Sequence, residues 1–153
     1  MTEINKQDIV SLREKTKAGV MDVRKALEES GGDIVKAEEI LQKVGAAKAQ
    51  SKAERPTGSG MIETYTHADG KIGVMVEVAC ETDFVAKTDE FKTLAHDLAL
   101  QIAAMDPTSV DELLDQEFIK DPTKKIAVLL QETIAKTGEN IKVVRFQRFL
   151  LGA

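Results

Sequence analysis

The chain has 153 residues, of which 42% are apolar and 31% charged, and its formal net charge is −5. This length allows one ordinary domain, or a small helical module followed by a larger one. The chain lacks the basic excess that nucleic-acid binders exchange for phosphate counterions, so we expect no direct nucleic-acid partner. No apolar stretch approaches the roughly 20 residues of a membrane span, and a lone cysteine suits a reducing compartment. We therefore expect a cytoplasmic protein without a membrane contact.

Three helical patterns open the chain. The first two cover residues 6–15 and 20–30, and Gly31-Gly32 supplies the positive φ typical of a helix end. Asp33 is placed to cap a third helix, which we expect Gly45 to end. Three short helices with tight turns predict a three-helix bundle that buries little area and is only marginally stable alone.

The composition changes after this bundle. Lys48, Lys52 and Arg55 are basic, and Pro56-Thr-Gly-Ser-Gly60 has the composition of a turn or linker. We interpret this stretch as a basic helical extension that leads into a linker. The predicted organisation is a helical module at residues 1–46, the extension and linker at 47–60, and a core module at 61–153.

Beyond residue 60 the apolar period switches to two. Residues 61–67 alternate, Ala68-Asp69-Gly70 predicts a hairpin turn, and residues 72–80 place a wholly apolar face on the second strand. Such a face needs a cover, and an apolar stripe at helical spacing over residues 88–105 predicts the helix that provides it. The stripe consists of Phe91, Leu94, Ala95, Leu98, Ala99, Ile102 and Ala103.

The rest of the chain completes a small module. We expect a short helix at residues 110–114, an extended segment at 118–122, a helix capped by Thr123 and ended by Gly138, and a last strand at 141–150. This order predicts an α+β fold, in which a small three-stranded antiparallel sheet is covered by helices and follows the three-helix bundle.

Residues that could carry catalysis or bind a metal are few. The sequence has no phosphate-binding glycine loop, and His67, His96 and Cys80 do not have the spacing of a zinc site. We interpret the histidines as solvated surface residues and Cys80 as a buried, inert thiol. The sequence therefore predicts a protein that is not an enzyme and has no cofactor, metal or catalytic residue.

One segment has an unusual pattern. Thr82-Asp83-Phe84-Val85 joins a buried strand to an amphipathic helix and places polar residues directly before two apolar ones. In one interpretation, Asp83 caps a turn and Phe84 packs in the core, as most phenylalanines do. In the other, Phe84 protrudes and binds in a pocket of a partner, because a rigid aromatic side chain often dominates an interface. The pattern leaves both open.

Three motifs in the same order resemble the elongation factor Ts family. The first is Leu12-Arg-Glu-Lys-Thr-Lys-Ala-Gly-Val-Met-Asp-Val-Arg-Lys-Ala-Leu27, and the second is Glu77-Val-Ala-Cys-Glu-Thr-Asp-Phe-Val-Ala-Lys87. The third is Ile134-Ala-Lys-Thr-Gly-Glu-Asn-Ile-Lys-Val-Val-Arg-Phe-Gln-Arg-Phe149. Together they cover most of the chain, and three long motifs in order are far more specific than one.

The resemblance implies a ubiquitin-associated (UBA)-like helical module and a partner, elongation factor Tu. Family members bind this GTPase in its GDP form and release the nucleotide. Asp83 and Phe84, within the motif Thr82–Val85, match the pair that enters the partner near its Mg²⁺ and phosphate site. Arg13, Val20 and Met21 match the positions at which the helical module contacts a helix of the same partner domain.

The chain also departs from the family pattern. Lys17 stands where the family usually has a small residue or glycine, Val20 replaces the commoner Met, and Ala79 replaces the commoner Asn. A longer helical region normally precedes the segment that begins at Asp115, so the chain resembles a shortened form. The resemblance leaves a homodimer open.

Two alternatives belong to other functional classes. In the first, the chain is an adaptor whose UBA-like module binds ubiquitin or another small protein, and a partner pulldown would discriminate it from an exchange factor. In the second, the chain is an enzyme with Cys80 as nucleophile, in which case Cys80→Ala would abolish turnover.

Overall fold

A computed structural model of the protein describes residues 3–67 and 69–153, so Ala68 of the expected hairpin turn lies outside the described residues. Within these residues the helices and strands follow one another in a single order. They are α1 (Lys6–Thr16), α2 (Val20–Glu29), α3 (Ile34–Lys52), β1 (Ser59–Thr66), β2 (Ile72–Cys80), α4 (Asp83–Ala86), α5 (Asp89–Met105), α6 (Val110–Asp115), β3 (Glu117–Phe118), β4 (Asp121–Lys125), α7 (Ile126–Thr137) and β5 (Ile141–Leu150).

The first three helices form the predicted bundle. The Asn5 side chain caps α1 by accepting a hydrogen bond from the Gln7 amide, and the Asp33 side chain caps α3 in the same way. Gly31 and Gly32 follow α2 with φ of 65° and 87°, a backbone conformation that glycine adopts without strain. The core of this bundle consists of Leu12, Val23, Ala26, Leu27, Ala37 and Leu41.

The expected end of the third helix at Gly45 is wrong, because α3 continues to Lys52. A glycine inside a helix costs about 1 kcal/mol relative to alanine. Tertiary packing offsets that cost here, since α3 runs along α7 and Ala49 packs against the core of the second module. The division into residues 1–46, 47–60 and 61–153 stays a prediction, and α3 runs across its first boundary.

The departure at Lys17 has a structural counterpart. Lys17 follows α1 with φ of 60° and ψ of 11°, which is the left-handed region, and its amide bonds to the Arg13 carbonyl. A non-glycine residue pays about 1–2 kcal/mol for this conformation. A glycine at this position would adopt it without that cost.

The second module contains the predicted three-stranded antiparallel sheet, in the order β1-β2-β5. Val74, Val76, Val78 and Cys80 all lie buried on one face of β2, as the alternating pattern predicted. Helix α5 contacts β1 and β2, and all seven apolar residues of its predicted stripe are buried. The α+β prediction is therefore confirmed.

The start of strand β1 depends on Gly60. Its φ is 140°, and a Cβ built on it would lie 2.1 Å from the Val78 carbonyl oxygen. No real Cβ contact is that short, so β1 and β2 can pair in this register only with glycine at this position.

The segment after α6 differs from the prediction. Phe118, Asp121 and Pro122 belong to a second, two-stranded sheet made of β3 and β4, and residues 119 and 120 form the turn between these strands. Thr123 does not cap the next helix: its amide and hydroxyl both bond to the Asp121 side chain within β4, and α7 begins only at Ile126. The buried Gln101 side chain of α5 holds this hairpin by bonding to the Glu117 carbonyl at 3.0 Å and the Ile119 amide at 2.9 Å.

No helix that the described residues form is both long and apolar enough to cross a bilayer.

Candidate partner-binding site

The segment Thr82–Val85, here called the motif turn, lies between the end of β2 and the start of α5. Its residues enter the one-turn helix α4, and the Thr82 hydroxyl caps that helix by accepting a hydrogen bond from the Val85 amide at 3.3 Å. Thr88 then caps α5 through the Phe91 amide. The chain thus leaves a buried strand, makes one helical turn and enters the long covering helix.

Phe84 protrudes from the motif turn. Its side chain is 81% exposed, the highest value among the large apolar side chains of the described residues. Val85 and Ala86 beside it are 5% and 9% exposed and belong to the core. The interpretation that Asp83 caps the turn and Phe84 packs inside is therefore wrong. Thr82 is the cap, and the next two residues rather than Phe84 fill the space under the helix.

The other residues of the motif have different surroundings. Asp83 is exposed, and within residues 3–67 and 69–153 no side chain forms a hydrogen bond or ion pair with its carboxylate. Its charge is therefore open to a partner. Val85 was also predicted to bind the partner. Its side chain is buried and holds the turn to the core, and its contact with a partner stays a prediction.

Glu139, in the connection between α7 and β5, holds the start of the motif turn. Its Oε1 accepts hydrogen bonds from the Glu81 amide at 3.1 Å and the Thr82 amide at 3.0 Å, and its Oε2 accepts one from the Thr82 hydroxyl at 2.7 Å. The sequence analysis missed this residue. The only local signal was its place in the third motif, directly after the glycine that ends α7.

Cys80 lies directly before the motif turn and is fully buried, with its Sγ donating to the Thr82 carbonyl oxygen at 3.2 Å. Burial, followed by the negative charge of Glu139, raises the pKa of the thiol above its ordinary value. A thiol that is protonated at neutral pH and closed to solvent is a poor nucleophile. This supports the prediction of an inert thiol and argues against the enzyme alternative.

The predicted contact residues of the helical module form a separate surface. Met21 is 72% and Val20 45% exposed at the start of α2, and Arg13 is exposed on α1. Val35, at the start of α3, is a further exposed apolar residue at 67%, which the sequence analysis did not identify. The structure therefore presents two surfaces, one on the bundle and one at the motif turn.

Metal chemistry has no visible basis in the part of the chain that the structure describes, since no three His, Cys, Asp or Glu side chains cluster there. His67 and His96 are both exposed, as predicted.

Comparison with known proteins decides the family. A family model described as Elongation factor TS matches residues 81–151, a region that begins one residue before the motif turn. Elongation factor Ts of Thermotoga petrophila is 44% identical over 193 residues, covering 98% of this chain and 97% of the relative. The chain belongs to the elongation factor Ts family. Two further members, from an Anaeromyxobacter species and Oleidesulfovibrio alaskensis, are 43% and 42% identical, with 90% and 100% of their own lengths covered.

Membership of the elongation factor Ts family supports a role in translation elongation. The length of the alignment also confirms that the chain is a shortened form. The alignment with the Thermotoga petrophila protein spans 193 positions, and this chain has 153 residues, so at least 40 positions of that alignment have no counterpart here. Both the motif turn and the three-helix bundle are nevertheless present.

Proposed function

We propose that this protein is a guanine-nucleotide exchange factor that binds elongation factor Tu in its GDP form and promotes release of the nucleotide. The observation that carries the proposal is the exposure of Phe84 on a turn that is held on both sides. An aromatic ring that is 81% exposed contributes little to its own fold. It is available to fill a pocket in a partner, where aromatic residues often dominate the binding energy.

Exchange requires a preference for the nucleotide-free partner. If the factor weakens GDP binding by some ratio, GDP weakens binding of the factor by the same ratio. Each tenfold change needs about 1.4 kcal/mol of differential contact. Burying Phe84 in the partner supplies about 1.5–3 kcal/mol, which corresponds to roughly one or two decades.

Disturbance of the Mg²⁺ and phosphate site would supply the remainder. Asp83 adjoins the ring and its carboxylate is free. An anionic oxygen brought beside groups that bind phosphate competes with the phosphates for the same donors and repels their charge. The two residues would then act together. The Phe84 ring would displace groups around the nucleotide site, and the Asp83 carboxylate would weaken binding of the GDP phosphates.

The exposed residues of the bundle provide the second contact of the proposal. Val20 and Met21 present apolar surface and Arg13 a positive charge, so the module can dock on an amphipathic helix of the partner. Two contacts on one chain raise the effective concentration of the motif turn at its target. The proposed protein works in the cytoplasm, makes no covalent intermediate, and needs neither a cofactor nor a nucleic acid.

Binding measurements on purified elongation factor Tu test this proposal. By linkage, the affinity for the nucleotide-free GTPase should exceed that for the GDP-bound GTPase by the same factor by which the chain weakens GDP binding. Equal affinities for the two forms would contradict exchange. They would instead favour the adaptor, which binds a partner without altering its nucleotide.

A homodimer is a second proposal, and the uncovered face of the sheet favours it. Ile62, Met75 and Phe149 are 54%, 53% and 69% exposed on or beside this face. Glu77 and Arg145 lie 3.7 Å apart within it, so a second copy related by a twofold axis could match each charge with its opposite. Burying the apolar residues against that copy would remove an exposed patch.

The molar mass in solution, measured by light scattering, tests the dimer. Met75→Glu should convert a dimer to a monomer, because it buries an unpaired charge in the interface. Met105→Glu, which changes a 51% exposed residue at the end of α5, should leave the mass unchanged. A wild-type chain that is monomeric at the highest soluble concentration would contradict the dimer.

A further inference from the structure

We propose that Glu139, at the corner between α7 and β5, is a positioning residue of the exchange site. It would act by holding the motif turn in the conformation that presents Asp83 and Phe84 to the partner. The inference rests on the proposed function, and it adds a residue that lies outside the motif itself.

The Glu139 carboxylate makes three hydrogen bonds to residues 81 and 82. Both oxygens of Glu139 are used, by the amides of Glu81 and Thr82 and by the Thr82 hydroxyl. Hydrogen bonds to an ionised acceptor are roughly twice as strong as neutral ones. The carboxylate therefore fixes both the backbone and the side-chain rotamer at the position where the chain leaves the sheet.

The helix that carries the Phe84 ring is too short to be stable alone. Helix α4 has only four residues, and a helix that short is not stable by its own hydrogen bonds. The Thr82 hydroxyl donates to Glu139 and also accepts from the Val85 amide, so the cap of α4 is itself oriented by the carboxylate. Without Glu139, the buried Val85 and Ala86 would still hold the end of the turn, but its start would lose three hydrogen bonds.

The backbone that carries the Glu139 carboxylate is itself held in place. Gly138, with φ of 75°, ends α7, and its amide bonds to the Ile134 carbonyl at 2.9 Å. On the other side Asn140 is 2% exposed and donates to the Ala53 and Arg55 carbonyls at 3.3 and 2.9 Å. Glu139 therefore extends from a corner that is fixed before and after it.

The same corner connects the two proposed partner surfaces. Asn140 bonds to the backbone just after α3, the last helix of the bundle, and Arg55 in that segment pairs with Glu81 at 2.8 Å. The end of the bundle and the start of the motif turn therefore bond to adjacent residues of one corner. Holding both in one arrangement reduces the ordering cost of binding.

A solely structural role for Glu139 makes different predictions. Thr82 is exposed and Glu139 is only partly buried, so water can satisfy the amides if the carboxylate is removed. Loss of the side chain should therefore change the melting temperature little, while it frees the motif turn. Removing a positioning residue should lower the rate of nucleotide exchange by way of Phe84. Removing a residue with only a structural role should instead lower the stability of the fold.

The test uses the full chain with Glu139→Ala, Glu139→Gln and a matched control. The control is Glu112→Ala on α6, whose carboxylate likewise accepts hydrogen bonds from the amide and hydroxyl of one threonine, Thr108, outside the motif turn. Release of fluorescent GDP from elongation factor Tu should slow about tenfold for Glu139→Ala, the loss expected from removing charge-assisted hydrogen bonds. Glu139→Gln keeps an acceptor for the two amides, so its rate of GDP release should lie between those of the wild type and Glu139→Ala. The rate for Glu112→Ala should match that of the wild type.

A double-mutant cycle with Phe84→Ala gives the decisive result. If Glu139 acts by presenting the motif turn, Glu139→Ala should cost less exchange activity in the Phe84→Ala background than in the wild type, so the two effects are not additive. Additive losses, or full exchange activity of Glu139→Ala, would overturn the proposal. Wild-type chain that fails to release GDP in the same assay would contradict the proposed function instead. The role of Glu139 in holding the motif turn can then still be tested by amide hydrogen–deuterium exchange. Equal protection of the Glu81 and Thr82 amides in the wild type and in Glu139→Ala would refute that role.

Discussion

Replacing Phe84 by alanine separates the function of the motif turn from the stability of the fold. The ring is 81% exposed, so only about a fifth of its surface lies against the rest of the molecule. Losing that contact should cost less than about 0.5 kcal/mol, which lowers the melting temperature of a domain this size by about 1–2 °C. The fold should therefore survive the change.

The effect on exchange should be much larger. If the ring becomes buried in the partner, its removal costs about 1.5–3 kcal/mol of the preference for the nucleotide-free state. The rate of GDP release at a subsaturating concentration of the chain should then fall roughly 10- to 150-fold. The assay is the release of fluorescent GDP from elongation factor Tu, with thermal unfolding of each variant measured in parallel.

Two control variants bracket this result. Phe91→Ala removes a fully buried ring on α5 and should destabilise the fold by about 3–5 kcal/mol. Met105→Ala truncates an apolar side chain that is 51% exposed at the far end of the same helix, about 25 Å from its start. It should leave exchange unchanged and cost far less stability than Phe91→Ala. The proposed role of Phe84 is refuted if Phe84→Ala unfolds like Phe91→Ala, or if it releases GDP as fast as the wild type.

Three further predictions follow from local structure. Lys17→Gly should raise the melting temperature, because it removes the strain of a left-handed lysine, whereas Lys15→Gly inside α1 should lower it; the reverse order would contradict the strain argument. Cys80 should react with a disulfide reagent roughly a hundredfold more slowly in the folded than in the denatured chain, and fast native labelling would disprove its burial. Hydrogen bonds from the Thr108 hydroxyl and amide hold the pKa of Glu112 below its ordinary value, so its stabilising effect is present above about pH 4.3 and is lost as the pH falls further. Glu112→Gln should therefore lose less stability between about pH 5 and pH 3 than the wild type, and equal losses would show that the carboxylate contributes nothing.

The sequence predicted best what is decided locally. The cap at Asp33 and the glycine ends of α2 and α7 depend on neighbours within four residues, and all are as expected. The alternation in β2 and the stripe of α5 identified both sides of the core, because one buried face fixes the period.

Elements that depend on distant contacts could not be predicted in this way. Gly45 gives a local signal for a helix end, but the packing of α3 on α7 overrides it. Thr123 is a good helix cap by residue type, but Gln101, some twenty residues earlier, holds that stretch as a hairpin. Both errors have one cause, which is that tertiary packing outweighs a preference of about 1 kcal/mol.

The candidate site shows the same limit. The motif turn was recognised as unusual, yet local pattern could not tell whether Phe84 or its neighbours enter the core. The structure decides this by burying Val85 and Ala86. Glu139 is 57 residues from Thr82 along the chain, so no local pattern could pair them. The pairing of β5 with β2 is what brings Glu139 beside Thr82.

We propose that this chain releases GDP from a translation GTPase. The most direct measurement follows fluorescent GDP bound to purified elongation factor Tu while the concentration of the wild-type chain is raised. The release rate should increase and then saturate, with half-saturation at the concentration at which the two proteins form a complex. A complex that forms fully while GDP leaves at its uncatalysed rate would contradict the claim.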